Sequence, residues 1–96
     1  MGIFSFLKRG RKTEDASERR LRLLTKGRVT DGVIIETEEI EDGVMVAHYT
    51  YSVHGVEFES SDLLSEEQKK DELKYAPGAH VSIRFDPNNH GNAVLV

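Results

Sequence analysis

The sequence predicts a mainly β domain: a compact five-stranded antiparallel barrel or strongly twisted sheet, with a short N-terminal helix and a short helix between strands three and four. Three observations carry that prediction. Gly43, Gly55, Gly78 and Gly91 fall between runs of β-forming residues, as turn residues do. Tyr49, Tyr51 and Val53, then Val56 and Phe58, recur at the period of two expected of half-buried strands. Finally, 96 residues with 38% hydrophobic and 31% charged side chains suffice for one domain with a modest core.

The first element is a helix from about Thr13 to Lys26, closed by Gly27. Glu14 and Asp15 suit its positive end, and Arg22 and Lys26 its negative end. Only Leu21, Leu23 and Leu24 offer it apolar contact, so it is expected to be short and weakly docked. The first strand follows, with Gly32 marking a bulge or bend. A three-residue Glu41-Asp42-Gly43 loop would set Val33 beside Tyr51 and Ile35 beside Tyr49, keeping apolar residues on one face, whereas a two-residue loop would mix the faces. A two-residue His54-Gly55 turn then sets Val53 opposite Val56 and Tyr51 opposite Phe58.

Ser65-Glu-Glu-Gln68 is a capping-box pattern and starts the second helix, expected to reach about Lys74. Pro77-Gly78 turns the chain. Val81, Ile83 and Phe85 alternate with His80, Ser82 and Arg84 in the fourth strand. Asp86-Pro87-Asn88-Asn89 is a turn, with an Asn tolerating positive φ, and Ala93 to Val96 forms the fifth strand. The chain thus divides into residues 1–12, a flexible basic amphipathic arm, residues 13–26, a short helix, and residues 27–96, the β-domain.

The net charge of −4 conceals a split. Residues 1–28 hold nine Lys or Arg against three acids, and the remainder holds four against fourteen, so a basic arm precedes an acidic body. In the arm, Ile3, Phe4, Phe6 and Leu7 precede Lys8, Arg9, Arg11 and Lys12, a pattern suited to an anionic membrane surface. Burying four such side chains yields ~4–8 kcal/mol gross, and each cation adds about 1 kcal/mol near an anionic leaflet. Ordering costs offset several of these, which leaves weak reversible attachment on one side and a solubilising tail on the other. The apolar start Met1–Leu7 is too short for a secretory signal, and Phe6 stands where a myristoylation pattern needs Ser or Thr. No apolar run approaches the ~20 residues that span a bilayer, so a cytoplasmic location is expected.

On the body, Glu36, Glu38, Glu57 and Glu59 point outward as a solvated acidic face for a protein partner, with His48 opposite Glu36. Tyr49, Tyr51, Phe58 and Phe85 share the valine face and read as core; a nucleic-acid stacking platform there would suffer phosphate repulsion. The four histidines lack metal-site spacing, and no Ser-His-Asp order, phosphate loop or HExxH is present, so neither metal, cofactor nor catalysis is expected.

Two blocks, Tyr49-x-Tyr51-x-Val53-x-Gly55-x-x-Phe58 and Tyr75-Ala-Pro77-Gly78 through Asp86-Pro87-Asn88-Asn89, resemble the bacterial family designated domain of unknown function 3592. The resemblance spans about residues 27–96 and implies a small β-domain in a membrane-linked setting, with no known activity. Relatives usually continue Asn-Pro where this chain has Asn89-His90. The functional expectation is a non-enzymatic interaction module, peripheral at the cytoplasmic membrane face; the alternative is nucleic-acid binding through basic residues 8–28. An exposed first or last strand would also permit a homodimer.

Overall fold

The computed structural model describes residues 15–96. Its elements are α1 (Ala16–Lys26), β1 (Arg28–Glu41), β2 (Val44–Val53), β3 (Val56–Leu63), α2 (Glu66–Lys69), β4 (His80–Asp86) and β5 (Asn89–Leu95). All strand pairs are antiparallel, in the order β3-β2-β1-β4-β5. The sheet curls until its edges β3 and β5 approach, giving a nearly closed barrel. The first strand is therefore the centre of the sheet rather than an edge.

The β2–β3 hairpin has the expected register, with Val53 opposite Val56 and Tyr51 opposite Phe58. Its turn requires two left-handed residues, and His54 (φ 52°) and Gly55 (φ 81°) supply them. The β1–β2 register departs from expectation. Glu41 pairs with Val44 across a two-residue turn, and a bulge at Ile40 restores the expected alignment over Glu36–Glu39. A second bulge at Ile35 then brings Ile34 opposite Tyr49 and Gly32 opposite Tyr51. Ile34 is consequently 1% exposed and Ile35 46% exposed. The bulges bend the long strand, as curling into a barrel requires. Gly32 is not the bulge; a Cβ there would lie 2.7 Å from Ile83 Cγ1 and 2.9 Å from the Thr50 carbonyl oxygen.

The core unites Ile34, Ala47, Tyr49, Tyr51 and Val53 with Tyr75, Val81, Ile83, Phe85, Ala93 and Leu95. Phe58 packs against it and stacks on Tyr51 at 5.5 Å, so the aromatic residues are core, as their pattern predicts. Each tyrosine hydroxyl finds an acceptor: Tyr49 donates to Asp62 Oδ1 (3.4 Å), Tyr51 to the His90 carbonyl (2.7 Å) and Tyr75 to the Val96 carbonyl (3.1 Å). Between β3 and β5, side-chain bonds bridge the seam: the Leu95 N–H donates to Asp62 Oδ2 (2.6 Å), and Tyr51 reaches β5 from β2.

Helix α1 starts two to three residues later than the sequence suggests, because Asp15 is its N-cap. The Glu18 N–H donates to Asp15 Oδ1 (2.8 Å) and the Asp15 N–H to Glu18 Oε1 (3.2 Å), a reciprocal capping box. The helix lies outside the barrel, against β4 and β5. Leu23 and Val94 are buried there, outside the barrel core. Docking uses arginines more than leucines: Arg19 Nη1 donates to Asn92 Oδ1 (2.6 Å) and the Ala93 carbonyl (3.2 Å), and Arg20 Nη1 to the Leu95 carbonyl (2.8 Å). Leu21 stays exposed.

Helix α2 has the expected Ser65–Gln68 capping box but ends at Lys69 rather than Lys74. The Asp71 carboxylate accepts from the Lys74 N–H (3.3 Å), and this local turn replaces the next helical bonds. Gly91 lies within β5 instead of in a turn. The Asp86 carboxylate accepts from the Asn88 N–H (2.8 Å), confirming the turn at Asp86-Pro87, although neither Asn88 nor Asn89 has positive φ.

Candidate functional site

Alternation along β1, β2 and β3 sends Tyr49, Tyr51 and Val53 inward and polar side chains outward. Across that outer surface, Glu36 pairs with His48 and His48 with Ser61. The next rows set Thr50 opposite Glu59 and Ser52 opposite Glu57. Glu36, Glu38, Glu57 and Glu59 are all exposed on this one face, in two pairs that flank the polar row of β2.

The two pairs differ in their surroundings. His48 Nδ1 lies 2.6 Å from Ser61 Oγ, and Nε2 lies 3.6 Å from Glu38 Oε2. One donor atom each from Glu36, Glu38 and His48 lies within 4.8 Å of the others, an imidazole and two carboxylates of the type divalent metals accept. The Glu38 contact and the bond to Ser61 account for the imidazole's position by themselves. Glu57 and Glu59 stand apart from this group. Among the described residues, none of the four glutamates forms an ion pair with Lys or Arg. Glu39, by contrast, belongs to the neighbouring turn, where its Oε2 accepts the Gly43 N–H (2.9 Å). Ile3, Phe4, Phe6, Leu7, Lys8, Arg9, Arg11 and Lys12 lie outside the described residues.

Two features go beyond the sites expected from the sequence. Asp62 follows Phe58 and Ser60 on the inward phase of β3, so its carboxylate sits in the seam and burial raises its pKa above the usual range. The Leu95 N–H and the charges of Arg19 and Arg20 oppose that rise. Counting by twos from Phe58 is enough to flag it. Its bonds to Tyr49 and Leu95 make it a structural tie. The second feature is an open cleft of about 460 Å³ whose lining includes Thr37, Met45, Leu64, Gln68, Tyr75 and Pro77. It depends on α2 folding back over the barrel mouth, where Lys69 Nζ donates to the Gly43 carbonyl.

None of the described helices is long and apolar enough to cross a membrane. No curated protein and no solved structure matches this chain. The family described as domain of unknown function (DUF3592) matches residues 25–96, which include every strand of the barrel. With that match over most of its length, the chain belongs to the family of domain of unknown function 3592.

Proposed function

We propose that this family member is a non-enzymatic interaction module that offers the acidic outer face of β1–β3 to a basic protein partner. One observation carries the reading: Glu36, Glu38, Glu57 and Glu59 share an exposed face with no Lys or Arg paired to them among the described residues. Such a field speeds encounter with a positively charged surface and repels anionic ones. The reading extends to the membrane. Residues 1–12 join apolar and basic side chains, so the module would sit peripherally at a cytoplasmic leaflet with its acidic face turned from the lipid.

Nucleic-acid binding through residues 8–28 is the weaker reading. It relies on cations that are partly engaged within the fold, since Arg19 and Arg20 bond to β5 and Arg22 to Asp86.

Two measurements test the proposal. Cross-linking mass spectrometry on the full chain should map a partner to β1–β3, and replacing all four glutamates by lysine should abolish those links while circular dichroism stays unchanged. Retention of every partner by the folded variant would overturn the acidic-face reading. Co-sedimentation with anionic and neutral vesicles, with and without residues 1–12, tests the membrane part; equal binding by both chains would overturn it.

A further inference from the structure

At one end of the barrel, the start of β1, the β2–β3 turn and the β4–β5 turn border a small open pocket. Arg28, His54, Phe85, Pro87 and His90 line it, and its volume is about 240 Å³. The His54 and His90 rings lie 5.7 Å apart, and Phe85 meets His90 edge-on at 5.3 Å, which braces the second imidazole against the core. No carboxylate is among the lining residues.

Arg28 differs from the other arginines of the described chain. Arg19 and Arg20 are bound to β5, Arg22 pairs with Asp86, and Arg84 Nη1 donates to the Gly27 carbonyl (3.0 Å). Among the described residues the Arg28 guanidinium has no hydrogen bond or ion pair. Asp86, which lies between the lining residues Phe85 and Pro87 in sequence, is held by Arg22 and by the Asn88 N–H. One guanidinium and two imidazoles thus line one hollow of a body that is otherwise strongly acidic. An anion there would meet N–H donors and no carboxylate.

We propose that Arg28, His54 and His90 form a receptor for the phosphoryl group of a small phosphorylated ligand. A guanidinium offers a planar fork that matches two phosphate oxygens, and two imidazoles add N–H donors for the third. The hollow is smaller than the roughly 300–1,000 Å³ of pockets that enclose a whole ligand, so it suits the head group, with the rest of the ligand outside. This site is separate from the acidic face and does not depend on the partner proposed for it.

The test is a titration of the full chain followed through its histidine ring signals by NMR. It is run at constant ionic strength and constant, mildly acidic pH. Inorganic phosphate and glycerol 3-phosphate are the probes, with acetate as the carboxylate comparison. The expected result is saturable shifts of His54 and His90 with both phosphoryl probes, while His48 and His80 stay still. Arg28→Gln should weaken binding about tenfold, the loss of one charge-assisted contact. His54→Asn should weaken it as well, and asparagine tolerates the left-handed backbone at that position. Movement of all four histidines together, absence of saturation, or unchanged affinity in Arg28→Gln would overturn the site. Equal binding of acetate would overturn the phosphoryl assignment, and binding of free phosphate without the ester would overturn the organic ligand.

Discussion

The outer surface of this barrel has two halves built from the same sheet but finished differently. Over β4 and β5, helix α1 covers the strands, Leu23 and Val94 are buried at 1% and 2% exposure, and arginines reach backbone carbonyls. Over β1, β2 and β3 no element packs among the described residues, and four glutamates face solvent. The contrast follows from the outward positions of each strand. Val94 is apolar and flanked by Ala93 and Leu95, so β5 needs cover on both faces; Glu36, His48, Thr50 and Glu59 need none. The covered half serves stability. The bare half is available for contact.

The sharpest way to break this contrast is Leu23→Ala, which removes the apolar anchor of the covered half. It should cost about 2–4 kcal/mol, read as a lowered midpoint in urea denaturation. A loss no larger than that of an exposed control, Leu21→Ala, would show that the arginines alone hold α1. Asp15→Ala removes the capping box and should cost about 1 kcal/mol by the same measurement.

A third prediction concerns pH. The Asp62 carboxyl is raised by burial, so its contribution to stability is fully present below the unfolded carboxylate range and is lost as pH rises through the raised folded value. Asp86 has the opposite sign. The Asn88 N–H lowers its pKa, so its contribution is present above the unfolded range and is lost as pH falls through the lowered folded value. Asp62→Asn should therefore gain on the native chain between pH 4 and pH 7 in thermal unfolding, and a constant gap would contradict this. The smallest effect belongs to the bare half: each of Glu36, Glu38, Glu57 and Glu59 changed singly to Gln should shift stability by less than about 0.5 kcal/mol. A larger loss would mean that the acidic face is part of the fold's support.

Much of this architecture is legible in the amino-acid sequence. The His54-Gly55 turn fixes its flanking strands by turn chemistry alone, and period two assigns Glu36, Glu38, Glu57 and Glu59 to the outer face with His48 opposite Glu36. What could not be read depends on contacts distant in sequence. The bulges at Ile35 and Ile40 answer the curvature of the closed sheet, and nothing local in Ile34-Ile35-Glu36 says which isoleucine turns inward. The weak docking expected of α1 rested on its few leucines, whereas its arginines bond to residues 73 to 75 positions away. The run Ala93-Val94-Leu95 did carry a signal, since three successive apolar residues suit a strand covered on both sides. The grouping of Arg28, His54 and His90 needs the strand order, which a single sequence does not supply.

The seam between β3 and β5 has a consequence for motion. Every other pair of neighbouring strands is joined by a backbone ladder, whereas bonds to Asp62 and Tyr51 span this boundary. Hydrogen bonds of that kind contribute about 0.5–1.5 kcal/mol each, more where a carboxylate accepts. Parting the two edges costs these bonds and the apolar contacts of Phe58 and Leu95 behind them but leaves every ladder intact, so this seam, like the clasp of a hinged ring, is where the barrel would open first.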